Sequence, residues 1–104
     1  MKKLSEWKIV RNTESALISK NPVLISSIIA NPTGTALGRL LLYNDYRSEF
    51  YPLISITCGS NMMANVIYPF PVLFNRGLYV AKVSNIYDYT IHYMPYLSND
   101  DVLD

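Results

Sequence analysis

Residues 53–61 have the sequence LISITCGSN, and this stretch shows the pattern on which the fold assignment rests. Apolar residues at positions 54, 56 and 58 alternate with Ser55 and Thr57, which is the two-residue period of a strand with one buried face. The Gly-Ser-Asn that follows is typical of a tight turn. The stretch therefore predicts a half-buried strand that ends in a turn.

The same combination of short strand-like runs and turn residues recurs on both sides of this stretch. Residues that favour strands are plentiful, and no segment keeps an apolar stripe at helical spacing over three turns. Turns are predicted at the NPTG sequence (31–34) and at the NRG sequence (75–77). Pro69 and Pro71 disfavour a central strand, so only an edge piece is expected directly after them. The predicted strands are residues 7–11, 16–19, 23–30, 37–43, 53–58, 63–68, 78–83 and 89–93, with the edge piece at 72–74.

Seven or eight short strands separated by turns predict an all-β fold, a single antiparallel β-sandwich with a jelly roll as one form it could take. The length of 104 residues fits one domain. The sandwich is expected over residues 1–95, with a short N-terminal arm at 1–6 and an acidic C-terminal tail at 96–104. Six residues from different strands are predicted to lie in the core: Trp7, Ile25, Leu40, Ile56, Val80 and Ile91.

Several predicted strands are apolar on both faces. In the strand at 23–30, Ile25 and Ile29 are expected on the face opposite to Leu24 and Ile28. Only 16% of the residues are charged, against about 25% in typical soluble domains. One face of such strands fills the core, so the other is expected to contact a second subunit.

Charge and hydropathy argue against nucleic-acid and membrane partners. The net charge of +1 offers no basic surface for nucleic acid, and the longest apolar run, 23–30, is too short to cross a bilayer as a helix. No signal peptide is predicted, because polar residues interrupt the N-terminal segment. The two chain ends carry opposite charges, Lys2, Lys3 and Lys8 at the N-terminus and Asp100, Asp101 and Asp104 at the C-terminus. They are interpreted either as two solvated tails or as a clasp between neighbouring subunits.

No set of residues matches a catalytic or metal-binding pattern. His92 is the only histidine and Cys58 the only cysteine, so neither a catalytic triad nor a zinc site is expected, and Cys58 is predicted to pack in the core. Asp45 and Glu49 share one loop but provide too few oxygen ligands for calcium. We expect no catalytic residue, no metal, no cofactor and no enzyme activity.

Two aromatic clusters are the candidate interaction residues. One surrounds the polar loop after residue 43, and the other flanks Asp88. Tyrosines with short polar neighbours cap the ends of a sandwich, form protein interfaces or stack on sugars, and all three roles stay open here. The candidate interface residues are Tyr43, Tyr46, Phe50, Tyr51, Tyr87 and Tyr89.

Three segments follow one another in a recognisable order. PVLISSI (22–28) is a strand that opens with proline, and GRLLLYND (38–45) ends in a Leu-Tyr-Asp step into which Asn44 is inserted. FPVLFNRGLYV (70–80) joins a Pro-Val pair, an aromatic residue and a turn to Gly-Leu-Tyr-Val, and the closing strand TIHY (90–93) follows. In this order, over residues 7–95, the chain resembles a family of small virion structural proteins of tailed phages.

The resemblance implies a compact β-sandwich that coats or joins phage particles. It implies a capsid decoration or cement protein that bridges capsid subunits, with a head-fibre base, neck or tail component as alternatives. The implied partners are the major capsid protein or another virion protein, together with further copies of the chain, a trimer being preferred. The implied location is the virion, assembled in the host cytoplasm. A lectin-like, glycan-binding adhesin domain is the alternative from a different functional class.

Overall fold

Eight strands and no helix make up the part of the chain that the computed structural model describes, residues 7–45 and 52–96. The strands are β1 (Lys8–Asn12), β2 (Ala16–Ser19), β3 (Val23–Pro32), β4 (Gly38–Tyr43), β5 (Ile54–Cys58), β6 (Ala64–Phe74), β7 (Leu78–Ser84) and β8 (Ile86–Pro95). The predicted arm at 1–6 and most of the predicted tail, 97–104, lie outside the described residues. No helix in the described residues is long and apolar enough to cross a membrane.

The strands form two antiparallel sheets of four, in the orders β1-β8-β3-β6 and β2-β7-β4-β5. The first strand pairs with the last, β2 with β7, β3 with β6 and β4 with β5, so the chain folds back on itself as one long hairpin. Pairing of β3 with β8 and of β4 with β7 rolls this hairpin into two sheets. This strand order is that of a jelly roll. The predicted all-β sandwich is confirmed.

The core lies between the two sheets and consists of apolar side chains that alternate along the strands. Five of the six predicted core residues are buried there; Trp7 is not, because 42% of its surface is exposed. Trp7 precedes β1 and packs its ring against His92, with 5.5 Å between the ring centroids. The buried apolar residues are Val23, Ile25, Ile28, Ala30, Leu40, Leu42, Ile56, Cys58, Phe74, Leu78, Val80, Ile86, Tyr89 and Ile91.

A β-bulge in β3 changes which of its residues face the core. The register with both neighbouring strands shifts between Ile25 and Ser27. The extra residue reverses the alternation beyond it, so Ile28 is buried together with Ile25 while Ile29 is only partly buried. The predicted pairing of Ile25 with Ile29 on one face was therefore wrong.

Strand β6 unites the two segments that were predicted on either side of the prolines. It runs without interruption from Ala64 to Phe74 through Pro69 and Pro71. The strand lies at the edge of its sheet, as predicted, where a proline on the free side removes no ladder hydrogen bond. Its register with β3 shifts over this part, which accommodates the two rings.

The turn between β6 and β7 depends on Gly77. Its φ of +121° lies in the region that favours glycine. A Cβ atom at this position would also lie 2.7 Å from the carbonyl oxygen of Ser19, which is too close for any side chain. The Asn-Arg-Gly turn predicted from the sequence is present, and this glycine is required there.

Candidate functional site

The outer side of the β1-β8-β3-β6 sheet carries apolar residues in register across all four strands. Residues directly opposite each other in antiparallel strands lie on the same side of the sheet. The middle row is formed by Ile9 opposite His92, His92 opposite Ser27, and Ser27 opposite Ile67. Ile9 and Ile67 are 70% and 69% exposed, so the row ends in open apolar side chains at both edges.

The rows on either side extend this surface. Met94, Leu24 and Leu73 form one neighbouring row, and the other places Ile29 between Thr90 and Asn65. Trp7 reaches the same side through its contact with His92. We call this surface the apolar sheet face; its apolar members are Trp7, Ile9, Leu24, Ile29, Ile67, Leu73 and Met94.

One end of the apolar sheet face is closed by a buried carboxylate. Asp88 is only 4% exposed; it forms an ion pair with Arg11, whose side chain is largely exposed. Asn31 donates a hydrogen bond from Nδ2 to Oδ1 of Asp88 at 2.6 Å. The carboxylate is thus neutralised and hydrogen-bonded, and these paired groups are the only charged side chains in the rows described.

A second apolar surface lies at one end of the sandwich, where three connections meet. Asn85, between β7 and β8, donates a hydrogen bond from Nδ2 to the carbonyl oxygen of Leu37, at 3.1 Å. A Cβ atom at Gly34 would lie 3.9 Å from Oδ1 of Asn61, which places the β3–β4 loop beside the β5–β6 turn. We call this surface the loop tip; its exposed apolar residues are Leu37, Met62, Met63 and Tyr87.

The outer side of the β2-β7-β4-β5 sheet is more polar. Tyr43 lies there opposite Tyr79, which is in turn opposite Leu17. At the other end of the sheet, Arg39 lies opposite Thr57. Between these ends Leu41 lies opposite Ala81 and Ser55.

The structure separates the predicted interface tyrosines. Tyr43 is half-buried at one end of β4, whereas Tyr87 is exposed near the other end of the sandwich, where Arg39 pairs with Ser84. Tyr87 and Asp88 belong to β8 itself rather than to a loop before it. The remaining predicted interface residues of the polar loop, Tyr46, Phe50 and Tyr51, lie outside the described residues.

Tyr89 was wrongly predicted as an interface residue, because its side chain is fully buried in the core. Its hydroxyl donates a hydrogen bond to the carbonyl oxygen of Glu14 at 2.8 Å. Burial, with smaller contributions from Tyr79 and Glu14, raises the pKa of Tyr89 to about 12. The residue therefore ties the β1–β2 connection to the core and offers nothing to a partner.

The other titratable residues singled out in the sequence have structural surroundings. In the described residues, no three His, Cys, Asp or Glu side chains lie close enough together to hold a metal ion. Cys58 is buried in the core, as predicted. Asp45 is buried and forms an ion pair with Arg76, with 3.3 Å between Oδ2 and the guanidinium. Asn44 accepts a hydrogen bond from the backbone N–H of Arg76, which holds the same turn.

Sequence reasoning predicted an apolar outer strand face but not the residues of the four strands that form it, and it missed the loop tip. The face depends on the β3 bulge and on pairing between distant strands, and neither is visible in a single strand. The Met62-Met63 pair beside the Gly-Ser-Asn turn was the available signal for the tip. Comparison with protein-family models, with curated proteins and with solved structures finds no match to this chain.

Proposed function

We propose that this protein is a structural component of a phage virion, a capsid decoration or cement protein that holds capsid subunits together by adhesion. The proposal draws on the resemblance of segments 22–28, 38–45 and 70–80 to virion proteins of tailed phages. The jelly-roll strand order supports it, because this fold is common in viral capsid domains, although it also occurs in lectins.

The observation that carries the proposal is the presence of two separate apolar surfaces on one small domain. Exposed apolar patches of this kind mark interaction sites. The apolar sheet face covers one flank of the sandwich, and the loop tip lies at one end. A protein with two contact surfaces can bridge two neighbours, which is the task of a cement protein.

The proposed mechanism is adhesive and needs no reacting group. The partners would be the major capsid protein or another virion protein and further copies of this chain, with a trimer as the state that the resemblance implies. Weak contacts that are repeated by the symmetry of a particle give a large combined affinity. A head-fibre base, a neck component or a tail component would use the same surfaces on a different neighbour.

A lectin-like adhesin receives less support from the described residues. Sugar binding combines an exposed aromatic ring with carboxylate or amide groups that are available to the sugar hydroxyls. Tyr87 is exposed, but its neighbour Asp88 is buried and already bound to Arg11 and Asn31. The ring therefore lacks an available carboxylate from the adjacent position.

Binding to capsids that were assembled without this protein tests the proposal. The purified chain should sediment with such capsids, saturate at a fixed number of copies per particle, and raise the temperature at which the particles open. Failure to bind, together with a stable monomer at high concentration, would refute the adhesive function. A glycan array run in parallel would then decide on the lectin-like alternative.

A further inference from the structure

We propose that the apolar sheet face is covered by the same face of a second copy of this chain, in a two-fold contact. This inference rests on the proposed function and names the partner of one of its two surfaces. The contact is distinct from any contact that closes a trimer, because a face that packs against itself is related by a two-fold axis.

The size of the face suits a contact between two copies. Four strands spaced by about 4.8 Å and a ten-residue central strand that rises about 3.3 Å per residue give a surface of roughly 600 Å² before side-chain relief is counted. A standard protein interface removes about 800 Å² from each partner. The side chains at the edges, Ile9 and Ile67, project from the sheet and add to the area that would be buried.

The charges on the face also favour a second copy. Arg11 and Asp88 neutralise each other, so two copies meet without repulsion between like charges. Asn31 completes the hydrogen bonding of the carboxylate, and Ser26 donates its hydroxyl to the carbonyl oxygen of His92. The face can therefore lose water without leaving these polar groups unpaired. A nucleic acid or an anionic membrane would find no net positive charge there.

The strand register places apolar side chains of one copy over apolar side chains of the other in both possible orientations of the two-fold axis. With the axis across the strands, Ile67 of one copy lies over Ile67 of the other. With the axis along the strands, the sheet order places Ile67 over Ile9, since β6 and β1 are the two edges. Ser27 is in the middle row of a central strand and lies next to the axis in both arrangements.

A pair of lysine substitutions at equally exposed sites tests the contact. Ile67→Lys places a charge within the proposed interface twice, once from each copy, whereas Met62→Lys introduces the same charge at the loop tip; the two residues are 69% and 72% exposed. Sedimentation velocity should show that Ile67→Lys halves the mass of the wild-type assembly and raises its dissociation constant by about 30-fold or more. Met62→Lys should leave both unchanged.

Cross-linking identifies the face itself. Packed sheets lie about 10 Å apart, a distance that a short bis-maleimide spans. Ser27→Cys should give a linked dimer with this reagent, while the wild type should not react because Cys58 is buried. Ser55→Cys, on the outer side of the other sheet, is the matched control and should stay unlinked.

Three results would overturn the inference: a monomeric wild type, an Ile67→Lys variant with the mass of the wild-type assembly, or a Ser27→Cys variant that does not cross-link. Circular dichroism on each variant establishes that the sandwich is intact. None of these results bears on capsid binding, which is measured separately. A chain that binds capsids as a monomer would refute the two-fold contact and keep the proposed function.

Discussion

Asp88 shows how a single carboxylate shapes the candidate surface. It is buried beneath Arg11 and Asn31, and both lose their acceptor if the carboxylate is removed. Hydrogen bonds to charged groups contribute about 1.5–3 kcal/mol each, so Asp88→Ala should lower the free energy of unfolding by about 2–3 kcal/mol. Urea unfolding followed by tryptophan fluorescence measures this loss. Asp88→Asn keeps an acceptor for Asn31 and should lose less; equal losses in both variants would contradict the proposed network.

Tyr89 makes the stability of the folded protein depend on pH in the alkaline range. Its pKa rises from 10.0 in the unfolded chain to about 12 in the folded protein, chiefly through burial. The folded state therefore holds the phenol proton over a range in which the unfolded state releases it. Stability contributed by this group is complete below pH 10.0 and falls as the pH rises toward about 12.

The variant Tyr89→Phe isolates this effect. It loses the hydrogen bond to the carbonyl oxygen of Glu14, so it should be less stable than the wild type by about 1 kcal/mol at neutral pH. Its stability should then decline less steeply than that of the wild type above pH 10. Parallel declines in thermal unfolding experiments from pH 8 to 11.5 would show that another group is responsible.

At the scale of the element, the bulge in β3 decides which apolar residues face the core. Deleting Ser26 removes the extra residue and leaves the rest of β3 in strict alternation, so Ile25, Ile28 and Ala30 still face the core. We therefore expect the deletion variant to keep the β-sheet circular dichroism signal of the wild type at 25 °C. Ser26→Ala removes only the hydrogen bond to the carbonyl oxygen of His92 and should cost about 1 kcal/mol or less. An unfolded deletion variant would show that the bulge itself is required for the fold.

Strands β4 and β5 were predictable from the sequence, because successive residues alternate between the core side and the outer side without an extra residue. Leu40 was predicted to lie in the core, and it is buried together with Leu42, the next residue on the same face of β4. The bulge in β3 was not predictable, because Ser26 and Ser27 continue an ordinary strand pattern until a neighbouring strand supplies the register. The same limit applies to β6, whose prolines are tolerated because the strand lies at a sheet edge and residues 68–71 have no partner in β3.

The candidate site was harder to predict than the fold for the same physical reason. The apolar sheet face combines β1 and β8, which are far apart in sequence and adjacent in the jelly roll. Tyrosine content drew attention to Tyr89, but composition does not distinguish a phenol that is buried beside Glu14 from one that is exposed like Tyr87. Only the pairing of strands reveals which side chains share a surface.

At the scale of the whole molecule, one thin core must hold both sheets together. Leu40 is fully buried between them, and Leu40→Ala should lower the free energy of unfolding by about 2–5 kcal/mol because it leaves a cavity. The matched control is Leu37→Ala, three residues earlier on the exposed β3–β4 loop, which should change stability by about 0.5 kcal/mol or less. Equal effects in urea unfolding would contradict the assignment of the core.

The two apolar surfaces should act independently, because one is a sheet flank and the other is a set of connections at the end of the sandwich. Replacing Met62 and Met63 by serine removes apolar area from the loop tip alone. The double variant should therefore self-associate like the wild type and bind capsids at least tenfold more weakly.

Ile67→Lys should have the opposite effects: self-association should weaken, while the contact of each single copy with the capsid should stay unchanged. Its apparent affinity for capsids should fall only because avidity between neighbouring copies is lost. Binding measured at low and at high occupancy of the capsid separates the affinity of a single copy from the avidity between copies, since avidity acts only when neighbouring copies are present. Combining all three substitutions should add the two losses, because each surface would contact a different partner. If the serine variant bound capsids as well as the wild type, the loop tip would not be the capsid-binding surface, and the predicted interface residues Tyr46, Phe50 and Tyr51 would be the next positions to substitute.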